Sequence, residues 1–350
     1  MVPRNYPNDM KVRHWPAYGL ALTLIALLLP QPATALDAVL DVKENPGDLL
    51  MYLHRPAEFR AGLPVVVALH GCLQTAADFD DETGLVALAE ETPFLLLLPE
   101  QRPENMSRRC FRWHDADNNR NGKGESASIL AMIDNVLATQ GADPDKVFVL
   151  GFSAGGAMAS VLMANYPGRF AGGAVLAGLP FDCNRPTSDY DVIWNALHYS
   201  PFVPDGSDAI YACGIGGYER TDRDAEEWAS FVTQSAADIP DDWPLISLWH
   251  GTGDETVDPD NLQELTEQWT AAQGIDAIVD ERQEVGGATR ELYRDQAGNL
   301  RLETWSLPDF IHAVPIDVDG STPVCGQETD FVKDAGVCAI RHIIDFWRLK

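Results

Sequence analysis

Basic residues are scarce in this 350-residue chain, in which 25 lysines and arginines face 53 aspartates and glutamates and the formal net charge is −28. A surface of that charge repels phosphate backbones and anionic lipid headgroups, which disfavours nucleic acids and membrane surfaces as partners. Internal repeats, low-complexity segments and Ser/Thr/Pro-rich linkers are also lacking. We therefore expect one catalytic-size domain without an appended binding module.

Long hydrophobic runs are nearly absent, and a single stretch could enter a bilayer. This run, Leu20–Leu29, follows three basic residues and precedes the small residues Ala33–Ala35. The order is typical of a secretory signal, and the run is too short to span hydrocarbon comfortably. We predict a signal peptide over residues 1–35, a mature chain over 36–350, a secreted (extracellular or periplasmic) location and no stable membrane association after cleavage.

Cysteine patterns typical of metal sites are missing as well, because no CxxC pair and no Cys/His zinc spacing occurs. Six cysteines in an exported chain favour three disulfides, although sequence alone does not choose among the many pairings. Our working hypothesis is pairing between nearest neighbours, which gives Cys72–Cys110, Cys183–Cys213 and Cys325–Cys338.

Continuous apolar runs recur along the chain and predict a mostly parallel sheet, since such strands are covered on both faces. Segments with helical periodicity separate them, which indicates βαβ units and a three-layer α/β fold with helices on both faces. The predicted strands are Pro64–Leu69, Phe94–Leu98, Val147–Leu150, Ala174–Leu176 and Leu245–Trp249, and the predicted helices are Ser128–Thr139, Ala154–Asn165, Asn261–Ala272 and a C-terminal segment containing Ile340 and Trp347.

Turn signals predict antiparallel pairs at both ends of the sheet. Asn45-Pro46-Gly47 precedes a strand-like run at Leu49–His54, and residues 295–299 separate Glu291–Tyr293 from Leu300–Trp305. Residues 183–240 are rich in Asp, Gly and aromatic residues and have weak periodicity. We interpret them as an inserted excursion over the site, a lid or specificity subdomain.

The segment Gly151–Gly156, with the sequence GFSAGG, stands directly after a predicted strand and directly before a predicted helix. A turn this tight needs small flanking residues; it raises the serine hydroxyl above the sheet and aims the helix N-terminus at a developing oxyanion. We predict that Ser153 is a nucleophile and that the Ala154 amide is one of two oxyanion donors.

The acid and the base of such a site follow the serine in chain order. Residues 250–254 (HGTGD) follow a predicted strand, and open α/β folds build their sites at the carboxyl ends of strands. We predict Asp254 as the acid, ahead of Asp258 and Asp260, because it is nearest to the strand end. His312 is the only histidine between Asp254 and the last predicted helix, and we predict it as the general base.

A second oxyanion donor should lie in the loop after an early strand. Leu69–Gln74 closes the first predicted parallel strand, and we assign the donor to the Cys72 amide. We expect His70 to bond within this loop and brace it, and we expect Cys72 to be tied in a disulfide.

Weaker features leave alternatives open. Trp113 is a candidate for lining an apolar ester cleft, and core packing explains it equally well; for Trp249 and Trp305 core packing is favoured. Residues 115–122 are rich in oxygen ligands, but they lack the EF-hand register, so a solvated turn is favoured over a calcium loop. We predict no metal site.

Several motifs occur together between residues 43 and 318: His70–Phe79, Cys110 with Trp113, Gly124–Ser126, Gly151–Met158, Gly178–Pro180 and His250–Val257. Together they resemble secreted poly(3-hydroxybutyrate) depolymerases and the related feruloyl and acetylxylan esterases of the α/β-hydrolase superfamily. The resemblance implies an α/β-hydrolase fold, a triad at Ser153, Asp254 and His312, and an oxyanion position at Cys72. Phe310-Ile311 departs from the pattern, since the family usually has glycine before the histidine.

The expected function is that of a secreted serine esterase that forms an acyl-enzyme and needs no metal or organic cofactor. Hydroxyalkanoate oligomers or polymer are the first choice of substrate, and feruloyl or acetyl esters of plant polysaccharide are the close alternative. An alternative from another class is a non-catalytic exported protein that binds polymer or glycan.

Overall fold

The computed structural model describes residues 36–186, 210, 212–216, 222–319 and 325–349. The predicted signal peptide (1–35) and most of the middle of the predicted excursion (183–240) lie outside these residues. The signal peptide and the lid therefore stay predictions.

Parallel strands form the middle of a ten-stranded sheet with the order β1-β2-β4-β3-β5-β6-β7-β10-β9-β8. The strands β3 to β7 and β10 run parallel, β1, β2, β8 and β9 pair antiparallel at the two ends, and β11 and β12 form a separate parallel pair. The strands are β1 (Asp37–Ala38), β2 (Leu50–His54), β3 (Val65–Leu69), β4 (Leu95–Glu100), β5 (Val147–Phe152), β6 (Gly172–Leu176), β7 (Leu245–Gly251), β8 (Glu281–Val285), β9 (Ala288–Arg294), β10 (Leu300–Leu307), β11 (Val314–Ile316) and β12 (Val332–Asp334).

Helices cover both faces of this sheet, as the continuous apolar strands require. Alternate residues of β3 enter different cores: Val65, Val67 and Leu69 pack in one, and Val66 and Ala68 in the other. Among the described residues the helices are α1 (Ala76–Thr83), α2 (Leu85–Glu91), α3 (Gly124–Gln140), α4 (Ala154–Asn165), α5 (Ala225–Ser235), α6 (Asn261–Ala272) and α7 (Ala339–Phe346), with a 3-10 turn at Pro167–Arg169. Residues of α3 to α6 belong to the first core, and residues of α1, α2 and α7 belong to the second.

The predicted fold class is confirmed, and so are the hairpin β9–β10 and the antiparallel start of the sheet. The strands extend further than the apolar runs, because backbone pairing continues through polar and glycine residues at their carboxyl ends. β5 thus ends at Phe152, paired with Leu176, and β7 ends at Gly251, paired with Leu307. α3 begins at Gly124 rather than Ser128, since its polar first turn carries no apolar periodicity.

The three disulfides pair as predicted: Cys72–Cys110, Cys183–Cys213 and Cys325–Cys338. The paired cysteines are 38, 30 and 13 positions apart in sequence, respectively. In the described part of the chain, no helix is long and apolar enough to cross a membrane.

Candidate active site

Ser153, Asp254 and His312 meet at the carboxyl edge of the sheet. Ser153 follows β5, Asp254 follows β7 and His312 lies in the loop after β10. The order β5-β6-β7-β10 places the ends of these parallel strands side by side. Loops far apart in sequence therefore converge at one edge of the sheet.

Ser153 occupies a strained turn between β5 and α4, with φ 54° and ψ −119°. A non-glycine residue in this region is costly and persists only where the surrounding structure holds it. The flanking glycines allow the turn to close: a Cβ on Gly151 would lie 2.2 Å from the Gly155 carbonyl oxygen, and a Cβ on Gly155 would lie 2.1 Å from the Leu69 carbonyl oxygen. The predicted elbow therefore requires glycine at these two positions for steric reasons.

A continuous chain of hydrogen bonds joins the three predicted residues. His312 Nε2 lies 2.9 Å from Ser153 Oγ, and His312 Nδ1 lies 2.6 Å from Asp254 Oδ2. The Asp254 side chain is fully buried, while the His312 side chain is 13% exposed. With Nδ1–H donated to the carboxylate, Nε2 is free to accept the proton of the serine hydroxyl.

Each oxygen of the Asp254 carboxylate faces two hydrogen-bond donors. Its Oδ1 accepts the Thr256 and Val257 amides at 2.8 and 2.9 Å, and its Oδ2 faces His312 Nδ1 and, at 3.3 Å, His250 Nε2. Burial opposes ionisation, but the hydrogen bonds from His250, His312 and Val257 outweigh it and hold the pKa of the Asp254 carboxyl well below its ordinary value. Asp254 is therefore a carboxylate at neutral pH.

Two loops carry Asp254 and His312: the acid loop, residues 252–260 between β7 and α6, and the histidine loop, residues 308–313 between β10 and β11. The two loops contact each other through backbone atoms. Gly253 N–H donates to the Phe310 carbonyl oxygen at 3.0 Å, and the Asp309 amide donates to Thr252 Oγ1 at 2.8 Å. A Cβ on Gly251 would lie only 2.1 Å from the Phe310 carbonyl oxygen. This close approach fixes the distance between Asp254 and the histidine loop.

The acid loop is also anchored from its other side by a described piece of the predicted excursion. Gly216 N–H donates to the Thr256 carbonyl oxygen, Asp258 N–H donates to the Gly214 carbonyl oxygen, and Ile215 forms a β-bridge with Val257. The disulfide Cys183–Cys213 ties this piece to the segment after β6. Part of the excursion therefore supports the acid.

The loop after β3 lies against the elbow. A Cβ on Gly71 would lie 2.7 Å from the Phe152 ring, and that ring packs on the His312 imidazole with centroids 4.9 Å apart. His70 braces the loop as expected: its Nδ1 lies 2.7 Å from the Gly71 carbonyl oxygen, and its Nε2 accepts the Gln101 amide at 3.1 Å. Burial lowers the pKa of His70 to about 4, so the ring is neutral and keeps this acceptor.

The two predicted oxyanion donors belong to the two segments that meet here, Ala154 to the elbow and Cys72 to the loop after β3. The Ala154 amide opens α4, where the helix dipole favours negative charge. The Cys72 amide lies in the braced loop, which the disulfide to Cys110 also holds. Within the described residues, neither amide donates a hydrogen bond to another group of the chain.

Of the three tryptophans weighed as cleft residues, two are core residues. Trp249 and Trp305 stack on each other with centroids 4.2 Å apart in the core on the side of α7, so the core packing favoured for them is confirmed. Trp113 is 7% exposed, belongs to the other core, and contacts the His114 ring; its place in a substrate cleft stays a prediction.

The rival acids and the oxygen-rich loop have other partners. The Asp258 side chain accepts the Asp260 amide, and Asp260 immediately precedes α6. The side chain of Asp115 accepts from the Asp117 amide and the Asn118 side chain, which is typical of a self-contained turn. Among the described residues, no group of three or more His, Cys, Asp or Glu side chains could hold a metal ion.

His250 is the site residue that sequence reasoning missed. Its ring lies under the acid loop, with Nε2 3.1 Å from the Val257 carbonyl oxygen and 3.3 Å from Asp254 Oδ2. The available signal was its position at the end of a predicted strand, four residues before the predicted acid.

The fold and the hydrogen-bonded serine, histidine and aspartate at its carboxyl edge define the class of protein as an α/β-hydrolase. Residues 48–202 match the family model described as esterase PHB depolymerase. The chain belongs to this family and is a carboxylic ester hydrolase.

Curated relatives and a solved structure agree with this membership. The chain is 32% identical over 327 residues to poly(3-hydroxyalkanoate) depolymerase C of Paucimonas lemoignei, covering 93% of this chain and 73% of that protein. It is 31% identical over 251 residues to acetylxylan esterase A of Aspergillus oryzae, covering 71% of this chain and 74% of the relative. The structure of an acetyl xylan esterase from Aspergillus awamori matches in fold with a TM-score of 0.70 at 22% identity, covering 91% of this chain and 100% of that chain.

Proposed function

We propose that this chain is a secreted serine esterase that hydrolyses hydroxyalkanoate esters, as oligomer or polymer, through an acyl-enzyme. Ser153 is the nucleophile, His312 the general base and acid, and Asp254 the residue that orients His312. The observation that carries the proposal is the unbroken hydrogen-bond chain from Ser153 Oγ through His312 to Asp254 Oδ2, with distances of 2.9 and 2.6 Å.

The chemistry follows from these contacts. Ser153 Oγ attacks the ester carbonyl carbon while its proton passes to His312 Nε2, and the tetrahedral intermediate collapses when His312 returns that proton to the departing alcohol oxygen. Water then attacks the acyl-enzyme, gives a proton to His312 and releases the acid and the free serine. Asp254 stabilises the imidazolium in both halves of the reaction.

The Cys72 and Ala154 amides bind the oxyanion of each tetrahedral intermediate. Preorganised backbone donors of this kind are worth about 3 kcal/mol each of transition-state stabilisation. The proposal draws support from the bracing of the Cys72 loop by His70, Gln101 and the disulfide to Cys110, since a fixed donor needs no reorganisation during the reaction.

Two exposed apolar residues next to the site favour an apolar, water-insoluble substrate. Leu73 follows the oxyanion residue Cys72 and is 59% exposed, and Ile311 precedes His312 and is 49% exposed. Leu73 also adopts a positive φ of 69°, which is costly for a residue with a side chain. Exposed apolar side chains that neighbour the proposed oxyanion donor and the proposed base in sequence suit contact with a polyester surface.

Secretion is supported by three disulfides, which persist in oxidising compartments. The basic, apolar and small-residue pattern of residues 1–35 supports export through a cleaved signal. The expected partner is the ester substrate, which the enzyme meets in the extracellular or periplasmic space.

The test compares purified wild type and Ser153→Ala on amorphous poly(3-hydroxybutyrate), methyl ferulate, acetylated xylan and short nitrophenyl esters. We expect wild type to release hydroxybutyrate and to hydrolyse the nitrophenyl esters, and Ser153→Ala to lose turnover on every substrate by at least about 10⁴-fold. Faster turnover of methyl ferulate or acetylated xylan than of the polyester would select the polysaccharide esterase, a reading that relatives named feruloyl esterase B and acetylxylan esterase A keep open.

Covalent labelling separates the enzyme from a non-catalytic binder. A fluorophosphonate should form one adduct at Ser153 in folded wild type and none in Ser153→Ala. Folded wild type that takes no label would favour the polymer- or glycan-binding alternative.

A further inference from the structure

His250 lies beneath the proposed catalytic acid and has no place in the mechanism above. It is the last residue but one of β7, its backbone pairs with Ser306 of β10, and its side chain is 1% exposed. A ring so deeply buried is enclosed by the protein rather than presented to solvent. Any effect of His250 on the reaction must therefore pass through a neighbouring residue.

Its hydrogen-bonding atoms have an asymmetric environment. Nε2 faces two acceptors, the Val257 carbonyl oxygen at 3.1 Å and Asp254 Oδ2 at 3.3 Å, so this nitrogen carries a proton. Nδ1 is buried and has no hydrogen-bond partner within the described residues. An imidazolium would leave a buried, charged N–H without an acceptor, which is costly, so the ring is the neutral Nε2–H tautomer.

A neutral donor at this place closes the acid loop on itself. The Nε2–H group reaches both the first residue of the turn, through the Asp254 carboxylate, and its last residue, through the Val257 carbonyl. Oδ1 is held meanwhile by the Thr256 and Val257 amides. With donors on both oxygens, the carboxylate cannot rotate away from His312 Nδ1, 2.6 Å from Oδ2.

The titratable groups that face the His250 ring are few. Among the described residues, Asp254 is the only carboxylate within 4 Å of the His250 ring nitrogens, and His312 lies across the same carboxylate oxygen. Because His250 is neutral, Asp254 keeps its full negative charge for the imidazolium that forms at His312 during the reaction. Both histidines therefore donate to Asp254 Oδ2: His250 holds the carboxylate in place, and His312 exchanges protons with the substrate and Ser153.

We propose that His250 is a positioning residue of the esterase, which donates its Nε2–H to Asp254 Oδ2 and Val257 O and thereby fixes the carboxylate that orients His312. The inference rests on the proposed function of Ser153, Asp254 and His312. It assigns His250 an effect on turnover and on the pH dependence of the reaction, beyond its contribution to packing.

Two substitutions distinguish this role from packing alone. His250→Gln keeps an N–H donor near the position of Nε2, whereas His250→Met fills similar volume and donates nothing. The matched control is His54→Met. His54 is also buried, its Nε2 is bonded to Glu90 at 2.8 Å, and it ends β2, the second strand from one end of the sheet, away from the three site residues. Ser153→Ala reports separately on the proposed function.

The measurements are kcat, KM and the pH profile of kcat/KM on a soluble nitrophenyl ester, with the melting temperature of each variant. We expect His250→Met to lower kcat by about 100-fold, as misplacement of a catalytic group by about 1 Å does, with little change in KM. Its acid limb should move to higher pH, since Asp254 loses a donor and acts more strongly on His312. His250→Gln should recover most of kcat and the wild-type limb, and His54→Met should lower the melting temperature alone.

Equal losses of kcat in His250→Met and His250→Gln, or a wild-type rate in His250→Met, would overturn the positioning role. Turnover by Ser153→Ala would overturn the proposed function instead, so the two failures are distinct. If either variant fails to fold, ring-¹⁵N NMR of wild type takes its place, with the His250 signals assigned by comparison with whichever His250 variant folds or, if neither folds, through scalar couplings to the assigned His250 backbone. A proton on Nε2 and none on Nδ1 supports the inference, and a proton on Nδ1 contradicts it.

Discussion

Single atoms set the distance between the two loops that carry the proposed acid, Asp254, and the proposed base, His312. Gly251 has no Cβ, and the Phe310 carbonyl oxygen occupies the space where one would be, 2.1 Å from its ideal position. Neither atom belongs to a flexible side chain, so an added methyl group must push the histidine loop away. The geometry of the site thus depends on a residue with no chemistry of its own.

We predict that Gly251→Ala lowers kcat on a soluble ester by at least about 10-fold, because small displacements of a catalytic group cost that much or more. It should also destabilise the protein by about 1–3 kcal/mol through overpacking. Steady-state kinetics and chemical denaturation measure the two effects. The control is Gly168→Ala, where the nearest atom would lie 3.9 Å from the new Cβ; a Gly251→Ala variant as active as this control would contradict the prediction.

His70 makes the loop after β3, which carries the proposed oxyanion donor Cys72, sensitive to acid. Burial lowers its pKa from 6.5 to about 4, so between these values the unfolded chain binds a proton that the folded chain does not. Stability therefore falls as the pH drops through this window, by on the order of 3 kcal/mol in total from this group. Protonation also removes the Nε2 acceptor used by the Gln101 amide.

The corresponding prediction compares wild type with His70→Gln by chemical denaturation between pH 4 and pH 7.5. Wild type should lose free energy of unfolding more steeply than His70→Gln as the pH falls below 6.5. Parallel curves for the two proteins would show that another group governs acid sensitivity.

At the scale of helices and strands, the sequence predicted the framework well, and for a physical reason. Val65–Leu69 and Val147–Leu150 are buried on both faces, and a continuous apolar run is the direct trace of such burial. Ala154–Asn165 and Asn261–Ala272 match the predicted helices residue for residue. The strand ends were less visible, since pairing beyond the apolar run leaves no compositional mark.

The parts of the site that depend on one local segment could be predicted from the sequence. The contacts that support Asp254 could not, because they join segments far apart in the chain. The elbow at Ser153 needs only a strand, small residues and a helix in succession. The support of Asp254 comes instead from His250, from the Gly214–Gly216 segment and from Phe310, which the fold alone brings together. No local pattern marks a contact between residues 216 and 256, so spacing could not predict it.

The disulfide Cys183–Cys213 is the covalent anchor of that support. We predict that Cys183→Ser combined with Cys213→Ser lowers stability by about 3 kcal/mol, as loss of a native disulfide typically does, and also lowers kcat because the acid loop loosens. Removal of Cys325–Cys338 should lower stability with a smaller effect on kcat, since Gly326 and Gln327 contact the end of α1 rather than the acid loop. Denaturation curves and kinetics at low temperature separate the two disulfides; equal kcat losses would contradict the anchoring role.

At the scale of the whole molecule, net charge and local apolarity act in different places. A charge of −28 keeps the chain soluble and repels anionic surfaces, yet a neutral polyester exerts no such repulsion. Adsorption to the polymer proposed as substrate would then depend on apolar contact at the face that carries the site. Leu73 and Ile311 are the exposed apolar side chains adjacent in sequence to the proposed oxyanion donor and the proposed base.

We predict that Leu73→Ser combined with Ile311→Ser slows hydrolysis of amorphous poly(3-hydroxybutyrate) several-fold while leaving kcat/KM on a short nitrophenyl ester near the wild-type value. Each exposed side chain of this size contributes about 1–2 kcal/mol when apolar contact covers it, which is enough to weaken adsorption by more than tenfold. The control is Ile278→Ser, since Ile278 is 73% exposed in the loop after α6. At the start of this loop Gln273 contacts the Pro244 carbonyl, just before β7 begins, so the loop lies at the edge of the sheet opposite the site. Polymer turbidity and binding to polymer granules measure the effect. An equal loss on soluble and insoluble esters would show that Leu73 and Ile311 affect catalysis rather than adsorption. An equal loss in Ile278→Ser would show that adsorption does not depend on the face that carries the site.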